Sequence, residues 1–475
     1  MKCFSILLSV IFLLQSCFAA ETRPNVLFIL VDDFGSHDLG CYGSALYETP
    51  NMDRLAASGA KFTQAYVAYP RCVPSRFGIF TGKHPARVQG KKDSPHVEPD
   101  RDATIGQAFK DAGYSTFYCG KWHLGEGPSN PDKVGFDTIV AAGAAGATKS
   151  HFAPYNTSRS KGGGGGDEKD DIVGLDDAPE GEYLADRLTQ ETLKFIDTHK
   201  DKPFCAVLAH YAVHTPIEAK PHLTRRYSDK LVTMPKPAAE WEKESAGENL
   251  LVQNNATYAA MIESVDHGVG RLLNQLKKLG IEDNTIVILA SDHGGLSSRG
   301  SKREVATSNR PLRAGKGHLY EGGLRIPLLI RWPGHTKPGT EIATPVWSLD
   351  LFPTLVEMAG IATPANAGTD GISLIGLLQG ISIPSRDTFF WHNPAPRPTS
   401  TGDWFSSAIR IGSLKLIDFP EQKQVELYDL ETDVGESKNL ATERPADRDR
   451  LLAKLNAWRQ EVGASTAPKL NRKKK

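Results

Sequence analysis

The first segment whose residues could carry out a reaction is Cys72-Val73-Pro74-Ser75-Arg76. Pro74 suits the first turn of a helix, and Gly82 suits its end. Cys72 would then lie just before a helix N-terminus, where free N–H groups and the helix dipole favour an anion, and Arg76 adds a positive charge one turn further on. Such a setting stabilises a thiolate and predicts a reactive cysteine. The alternative is an inert cysteine beside an ordinary capped helix.

Acidic residues follow two predicted buried strands. Residues 25–31 are almost continuously apolar and end in Asp32-Asp33, and residues 285–290 end in Ser291-Asp292-His293-Gly294. Ligands of open α/β sheets bind beyond the carboxyl ends of the strands, so we expect these acids to meet in one site. Carboxylate oxygens suit Ca²⁺ better than a soft metal. The alternative for Asp32-Asp33 is a capping or turn pair, but a third acid at a second strand end favours a metal.

The chain resembles the sulfatase family in several motifs that occur in the order typical of that family. Cys72-Val73-Pro74-Ser75-Arg76 is similar to the signature at which these enzymes convert the cysteine to formylglycine (3-oxoalanine). The resemblance runs from Arg23 to Leu440, and five such motifs are far more specific than one. The other segments that carry it are residues 120–125 (GKWHLG), 291–294 (SDHG), 316–323 (KGHLYEGG) and 426–430 (ELYDL).

This resemblance implies a calcium-dependent hydrolase of sulfate esters with a nucleophile made from Cys72. The aldehyde at this position would be hydrated, and one hydrate oxygen would bind Ca²⁺ and attack sulfur. Asp292 is implied as general base as well as metal ligand. His293 is implied as a ligand or a close neighbour of the metal, although imidazole is an unusual ligand of Ca²⁺. The implied site for one Ca²⁺ per chain consists of Asp32, Asp33, residue 72, Asp292 and His293.

The same resemblance implies roles for other polar residues of these motifs. His214, in Val213-His214-Thr215-Pro216, would protonate the leaving group, with Lys316 beside it. His123 would accept the proton of the second hydrate hydroxyl, which expels sulfate and regenerates the aldehyde. Lys121 and Arg76 would hold the oxygens of the sulfate and the hydrate. Outside such motifs, a single lysine or histidine is more often solvated or locally hydrogen-bonded.

Alternating strands and helices predict a layered α/β fold. We expect further buried strands at residues 115–119, 204–211 and 326–332, and helices at residues 258–279 and 349–359, each helix followed by glycine. The alternation indicates an α/β/α arrangement. The family resemblance further implies an alkaline-phosphatase-like α/β/α sandwich with a large mixed sheet and a smaller C-terminal α+β subdomain.

We predict three segments along the chain. Residues 1–20 form a signal peptide, residues 21–383 a sulfatase catalytic domain, and residues 384–475 a C-terminal subdomain with a small antiparallel sheet. The passage into this subdomain is predicted at residues 384–404, which are rich in proline and polar residues. Its paired strands are predicted at residues 407–418 and 425–430.

The first twenty residues predict export. Lys2 precedes an apolar run at residues 6–14, and the small residues Ala19 and Ala20 precede a polar sequence. The run is too short for a membrane span, and no later segment is apolar enough to cross a bilayer. Cleavage near Ala20 is favoured over lipid attachment at Cys17, so we expect a periplasmic or secreted protein.

Composition indicates that any anion site must be built locally. Lys+Arg and Asp+Glu both total 56 among 475 residues, so no overall field favours nucleic acid or an anionic membrane. If Cys72 is modified, three mature cysteines remain, and this odd number argues against full disulfide pairing. The protein partner that the resemblance implies is a maturation enzyme that converts Cys72 to formylglycine. The other mature cysteines, Cys41, Cys119 and Cys205, are expected to be small buried hydrophobic residues.

The substrate is predicted by class alone. Export and the long loop around residues 141–171, which contains a five-glycine run, favour an extracellular sulfated carbohydrate. Trp391 could stack on a sugar ring, or it could pack at a surface or domain contact. The loop residues proposed to line the substrate pocket are Lys149, His151, His210, Arg313, Trp391 and His392.

Two other functions stay open at the level of the sequence. The first is a single-metal phosphonate or phosphate monoester hydrolase on the same scaffold, since a two-metal phosphatase would need a further Asp/His cluster that the sequence does not offer. The second is an inactive exported glycan-binding protein. The intact set of Cys72, Arg76, Lys121, His123, His214 and Lys316 argues against this second alternative.

Overall fold

The structure is a computed structural model of the chain. The predicted signal peptide and the five-glycine run lie outside the residues that it describes. The described residues are 23–89, 95–157, 171–301, 303–381 and 386–465.

The strands of the described residues are, in chain order, β1 (Asn25–Val31), β2 (Ala60–Tyr66), β3 (Ser115–Gly120), β4 (Thr138–Val140), β5 (Phe204–Ala209), β6 (Trp241–Glu244), β7 (Gly247–Leu250), β8 (Thr285–Ser291), β9 (Ser298–Arg299), β10 (Arg325–Arg331), β11 (Thr340–Ile342), β12 (Val346–Trp347), β13 (Thr388–Asn393), β14 (Ser406–Ile411), β15 (Leu414–Phe419) and β16 (Gln424–Asp429).

The α-helices of the same residues are α1 (Pro50–Ser58), α2 (Cys72–Thr81), α3 (Ala86–Gln89), α4 (Ile105–Asp111), α5 (Leu184–His199), α6 (Pro221–Thr233), α7 (Ala256–Lys278), α8 (Glu321–Leu324), α9 (Leu351–Met358), α10 (Ile375–Leu378) and α11 (Pro445–Glu461). Short 3₁₀ helices occur at Gly40–Tyr42, Gly127–Ser129, Pro131–Val134, Glu282–Asn284 and Ser348–Asp350. None of the helices in this part of the chain combines the length and the apolar character that crossing a bilayer requires.

A large mixed sheet forms the centre of the molecule. Its strand order is β11-β2-β10-β8-β1-β5-β3-β4, and β12 also pairs with β2. β10 runs antiparallel to both β2 and β8, whereas the other pairs of this sheet are parallel. The central strands β8, β1, β5 and β3 therefore present their carboxyl ends at one edge, where the candidate acids lie.

Both faces of this sheet are covered. All seven residues of β1 are buried. Val26, Phe28 and Leu30 belong to a core that also contains side chains of α2, α4 and α9. Leu27 and Ile29 belong to a second core on the opposite face, with side chains of α1, α5 and α7. Burial on both faces explains the almost continuous apolar sequence of β1, and the predicted α/β/α sandwich is confirmed.

A second, antiparallel sheet lies near the C-terminus, in the order β13-β14-β15-β16. α11 covers it with Leu451, Leu455 and Trp458, which share a core with Ile409 and Leu416. The predicted strand at 407–418 is in fact two strands, because a turn between them has Gly412 at φ 59°. The predicted passage at 384–404 contains β13, the first strand of this sheet, which was not predicted. The domain boundary after residue 383 stays a prediction.

Candidate active site

The acids that follow β1 and β8 meet because these strands are parallel neighbours. Val31, the last residue of β1, lies opposite Ser291, the last residue of β8. Beyond them, the backbone N–H of Asp33 donates a hydrogen bond to Asp292 Oδ1 at 3.2 Å. The Phe34 N–H donates to Ser291 Oγ at 3.0 Å, which ties the two strand ends together. The fold therefore places three carboxylates in one buried pocket.

Cys72 faces this pocket from the first position of α2. Its Sγ lies 3.7 Å from Asp32 Oδ1 and 3.2 Å from His293 Nε2. The helix is also fixed to the strand end, because Ser75 Oγ donates to the carbonyl oxygen of Asp292. The side chain at position 72 is 7% exposed. A residue from a helix start and residues from two strand ends thus share one site.

Each of the three acids has a cation beside it. Lys316 Nζ lies 2.5 Å from Asp33 Oδ1, and Lys121 Nζ forms an ion pair with Asp32. The third pair joins Arg76 Nε to Asp292 Oδ2 at 2.9 Å. The side chains of all three pairs are at most 4% exposed, so solvent screens their charges little.

The same donor set fits a divalent cation. Ligand atoms of Asp32, Cys72, Asp292 and His293 lie within 4.8 Å of one another, and so do those of a second group, Asp32, Asp33, Cys72 and His214. Asp33 Oδ2 is buried and accepts no hydrogen bond within the part of the chain that is described. Convergent carboxylates of this kind are the ligands that Ca²⁺ prefers.

The ring of His293 is oriented toward the carboxylates. Its Nδ1 lies 3.0 Å from the Gly294 carbonyl oxygen, so Nε2 is the nitrogen directed into the site. Nε2 lies 3.2 Å from Asp33 Oδ1 and 3.5 Å from Asp292 Oδ1. Burial lowers the pKa of His293, but the charge of Asp292 raises it, and the net pKa is above the ordinary value. The acids attract a proton to this ring as they would attract a metal ion.

The acids themselves respond unequally to burial. Burial raises the pKa of Asp32 well above its ordinary value, and the charge of Asp292 adds to this effect. Burial also disfavours the charged form of Asp33, but Lys316 lowers the pKa of that carboxyl below its ordinary value. For Asp292, the charge of His293 outweighs burial in the same way, so its pKa is lowered. A site in which acids compete for protons is one that a cation stabilises.

The Cys72 thiol is polarised by its surroundings. Burial alone would raise its pKa, but Lys121, Lys316 and His293, together with a hydrogen bond from His123, lower the pKa well below the ordinary value of cysteine. The site thus favours a negative charge on the atom that residue 72 presents.

Two further histidines flank residue 72. His214 Nε2 lies 3.8 Å from Asp33 Oδ2, and burial, with the charge of Lys316, lowers the pKa of His214 to about 3. His123 has a φ of 58°, and a Cβ built on Gly146 would lie 2.4 Å from His123 Cε1. Close packing against this glycine therefore fixes the imidazole beside the site. The structure brings together all of the predicted catalytic and metal-binding residues.

Two of the predicted substrate residues are buried histidines, and a third is a lysine held in an ion pair. His151 and His210 are completely buried, and His151 Nε2 lies 3.1 Å from the carbonyl oxygen of His214. Burial, with the charge of His151, lowers the pKa of His210 to about 4. Lys149 Nζ forms an ion pair with Asp171 Oδ1 at 2.5 Å. His151 thus supports the backbone of His214.

The other three substrate residues are corrected by the structure. Trp391 and His392 belong to β13 rather than to a loop. Trp391 is fully buried and donates from Nε1 to the Val67 carbonyl oxygen at 2.7 Å, so its ring cannot stack on a sugar. His392 is 1% exposed, with Nδ1 2.8 Å from Ser407 Oγ. The guanidinium of Arg313 is bound by the carboxylate of Glu244 at 2.7 and 3.0 Å and also donates to Tyr428 Oη at 2.9 Å.

A buried polar group directly behind Cys72 was not predicted from the sequence. Arg71 Nη2 forms an ion pair with Asp403 Oδ1 at 2.5 Å. Asn393 Nδ2 donates to Asp403 Oδ2 at 2.9 Å, and Tyr69 Oη donates to Asn393 Oδ1 at 2.8 Å. The position of Arg71 next to Cys72 was the available signal. No feature of the sequence indicated Asp403, because it lies in a segment whose composition is typical of a linker.

Comparison with known proteins identifies the family. The sequence model of the sulfatase family matches residues 24–361, and a model described as N-sulphoglucosamine sulphohydrolase, C-terminal, matches residues 314–461. The chain belongs to the sulfatase family. As a sulfatase it is a sulfuric ester hydrolase, and its fold is the alkaline-phosphatase-like fold of the structures that resemble it.

Individual relatives of this sulfatase agree with the family match. It is 32% identical over 403 residues to N-acetylgalactosamine-6-sulfatase of Homo sapiens, covering 78% of this chain and 69% of the relative. It is 30% identical over 450 residues to steryl-sulfatase of Mus musculus, covering 78% and 68%. The crystal structure of Ps i-CgsB in complex with k-i-k-neocarrahexaose matches with a TM-score of 0.73 and 28% identity, covering 95% of this chain and 96% of that one.

Proposed function

We propose that this sulfatase acts outside the cytoplasm on a sulfated carbohydrate, through a formylglycine made from Cys72. The observation that carries this proposal is the position of Cys72. Its sulfur is in contact with Asp32 and His293, and the charges of Lys121 and Lys316 act on it. A sulfate monoester is anionic and repels nucleophiles, so its site must supply positive charge around the attacking atom.

The metal of the proposed site is Ca²⁺. Asp32, Asp33, Asp292 and His293 would hold it together with residue 72, and the fit rests on the three convergent carboxylates and the buried Asp33 Oδ2. When bound, Ca²⁺ supplies positive charge to the nucleophile and the sulfate oxygens. The formylglycine, once made, supplies the oxygen nucleophile in place of sulfur.

The other residues around position 72 are proposed to bind the substrate and to transfer protons. Lys121 and Arg76 orient the sulfate oxygens and hold the ester in line with residue 72. Arg76 is well placed for this role, because its Nε binds Asp292 and its Nη1 donates to the Lys121 carbonyl oxygen at 2.6 Å. A buried, fixed guanidinium of this kind does not have to reorganise when the substrate binds.

His214 is proposed as the acid that protonates the leaving oxygen. Its Nδ1 lies 2.8 Å from the Thr215 carbonyl oxygen and carries the proton of the neutral ring, so Nε2 needs a second proton before it can act. Lys316 opposes this protonation, and the negative charge of a bound ester offsets Lys316. His123, which hydrogen-bonds residue 72, is proposed to accept the proton whose removal releases sulfate.

A carbohydrate substrate is supported by the relatives. One of them is named for N-acetylgalactosamine, and Ps i-CgsB was crystallised with a neocarrahexaose. Another relative is a steryl-sulfatase, so steroid sulfates form the competing substrate class. The predicted signal peptide supports export.

The proposed function is tested on chain co-expressed with a formylglycine-generating enzyme. Mass spectrometry of the peptide containing residue 72 should show replacement of sulfur by oxygen with loss of two hydrogens. The matured protein should hydrolyse p-nitrophenyl sulfate and sulfated oligosaccharides faster than the phosphate and phosphonate analogues or a steroid sulfate. Exclusive phosphonate turnover would refute the sulfatase assignment. Binding of glycans without conversion of residue 72 or any hydrolysis would identify an inactive binding protein.

A further inference from the structure

The loop of residues 394–405, between β13 and β14, is fixed against the active site. Arg71 Nη1 donates to the Ala395 carbonyl oxygen at 2.9 Å. Asn393, at the end of β13, donates from Nδ2 to the Gly317 carbonyl oxygen at 3.1 Å. Arg71 precedes residue 72 and Gly317 follows Lys316, so the loop is anchored at both of these catalytic segments. The C-terminal sheet therefore holds this loop next to both catalytic segments.

Within this loop, Arg397 has a fixed backbone and an exposed side chain. Its N–H donates to Asp403 Oδ2 at 3.3 Å. Its carbonyl oxygen accepts from the N–H groups of Ser400, Thr401 and Gly402 at 3.0 to 3.2 Å. The side chain itself is exposed. A long cationic side chain thus starts from a hydrogen-bonded turn that is fixed to Asp403, the partner of Arg71.

The guanidinium of Arg397 lacks the acidic partner that the other cations of the site have. The nearest candidate, Asp403, is already used, because Oδ1 pairs with Arg71 and Oδ2 accepts from Asn393. Among the residues described, no carboxylate lies within ion-pair distance of Arg397. Although the residue as a whole is exposed, desolvation of the guanidinium by neighbouring protein atoms and repulsion by Arg71 lower the pKa of Arg397, whereas the charges of Cys72 and Asp403 act in the opposite sense. Arg397 is therefore an uncompensated positive charge within electrostatic reach of residue 72.

We propose that Arg397 binds a second anionic group of the substrate, beside the sulfate ester that is hydrolysed. Lys121, Lys316 and Arg76 are each paired with an acid of the metal site, and in the proposed function they serve the sulfate ester that is hydrolysed. Arg397 has no such acidic partner among the described residues. A guanidinium binds sulfate or carboxylate oxygens with two parallel hydrogen bonds, so the partner is a sulfate ester or a carboxylate on the same or the adjoining sugar.

This inference rests on the proposed function and adds that the preferred substrate carries at least two negative groups. It is tested by calorimetric binding to the Cys72→Ala chain, which cannot turn the ligands over. The probes are N-acetylgalactosamine 6-sulfate, N-acetylgalactosamine 4,6-disulfate, and a uronic acid–N-acetylgalactosamine 6-sulfate disaccharide. The first carries one anion, the second carries two sulfates, and the third carries a sulfate and a carboxylate, so the two sources of the second anion are distinguished.

We expect at least one of the two dianionic probes to bind roughly 10-fold or more tightly than the monoanion, the factor that a charge-assisted hydrogen bond provides. Adding Arg397→Gln should remove this preference, and Arg397→Lys should retain part of it. Arg54→Gln serves as the matched control, since Arg54 is an exposed arginine of α1 that contacts Asn274. The control should keep the full preference.

Equal affinity for all three probes, or a preference that survives Arg397→Gln, would overturn the assignment of Arg397. Failure of the proposed function gives a different result. In that case the matured chain with Cys72 converted hydrolyses no sulfate ester, whatever residue occupies position 397. A second readout, the ratio of kcat/KM for the disulfate to kcat/KM for p-nitrophenyl sulfate, should fall about 10-fold in matured Arg397→Gln.

Discussion

Residue 72 lies in the middle of a site in which the acidic and the cationic side chains are paired. Three carboxylates, three cationic side chains and three histidines surround it, almost without access to solvent. In such a buried site an unpaired charge costs free energy, so the charged form of each group is stabilised by its neighbours. Substitutions here are therefore expected to affect chemistry and metal binding together.

Replacing Cys72 with alanine should abolish hydrolysis without unfolding the protein. The change removes the precursor of the nucleophile, and loss of a nucleophile lowers kcat by at least about three orders of magnitude. The measurement is turnover of p-nitrophenyl sulfate together with the melting temperature. Cys41→Ser is the control, because Cys41 is a free, half-buried cysteine that belongs to neither cation-binding group. Turnover at the wild-type rate in Cys72→Ala would contradict the proposed mechanism.

Removing calcium should lower both activity and thermal stability. A ligand that binds only the folded state at 100 times its Kd stabilises by about 2.7 kcal/mol, so EGTA should reduce the melting temperature and added Ca²⁺ should restore it. Asp292→Asn should lose this calcium-dependent shift. Asp283→Asn, whose side chain is 91% exposed, should keep it. A wild-type melting curve that is the same in EGTA and in Ca²⁺ would exclude the proposed metal site.

Residue-level prediction succeeded where local sequence carries the signal. Asp32 and Asp292 could be placed together because each follows a recognisable buried strand. Trp391 and Asp403 could not be placed, because their environment is made by partners hundreds of positions away, such as Val67 and Arg71. Spacing along the chain contains no information on such contacts.

At the scale of elements, the ends of the central strands act as the supports of the site. Gly120, the last residue of β3, has a φ of 98°, and a Cβ built on it would lie 1.9 Å from the Ala209 carbonyl oxygen. The next residue, Lys121, donates its N–H to that same oxygen at 2.8 Å. β3 and β5 thus approach too closely here for any side chain, and this approach directs Lys121 toward Asp32.

Gly120→Ala should therefore reduce stability and activity together. The left-handed backbone costs about 1–2 kcal/mol for alanine, and overpacking against Ala209 adds about 1–3 kcal/mol. Gly113→Ala is a control for the first cost alone, because Gly113 has a φ of 81° and open space around its Cα. Urea unfolding and kcat measure the two effects. Equal losses of stability in both variants would show that β3 and β5 are not in such close contact.

Elements with a clear period or a continuous apolar run were predicted well. β1 and β8 begin as predicted, and α7 covers the predicted helix within a few residues. β13 was missed because prolines and polar residues surround it, and its own alternation is short. Its strand character comes from pairing with β14, which local composition cannot indicate.

At the scale of the whole molecule, a buried ion cluster joins the two sheets. Lys415 of β15 lies 2.8 Å from both Glu321 Oε1 and Glu436 Oε1. Glu321 begins α8, which leads into β10 of the large sheet, and its N–H donates to Glu436 Oε2 at 2.7 Å. All three side chains are fully buried. Glu321 also forms an ion pair with Arg325, so Lys415 and Arg325 together neutralise the two acids at the contact between the sheets.

This cluster should make stability depend on pH. Burial raises the pKa of Glu436 to about 7 even though Lys415 opposes it, and the charge of Glu321 adds to the rise. Because the folded pKa lies above the ordinary value of 4.5, the folded state keeps a proton that the unfolded state releases. The stability that this proton contributes is complete below pH 4.5 and is lost as the pH rises from about 4.5 through 7.

Glu436→Gln, which cannot ionise, should flatten this part of the pH profile. The free energy of unfolding, measured in urea between pH 5 and pH 8, should fall with pH more steeply in the wild-type chain than in the variant. Glu443→Gln is the control, since Glu443 pairs with Lys438 on the surface and both are more than half exposed. Parallel profiles for wild type and Glu436→Gln would show that Glu436 ionises normally in the folded protein.

The burial of residue 72 also bears on whether its proposed modification comes before or after folding. A modifying enzyme has to hold a thiol in its own active site, and in the finished fold that thiol is buried beside side chains from as far along the chain as His293 and Lys316. The segment around residue 72 is synthesised long before those residues. The proposed conversion of Cys72 therefore belongs to the nascent polypeptide, and a copy that folds before it is expected to stay unconverted.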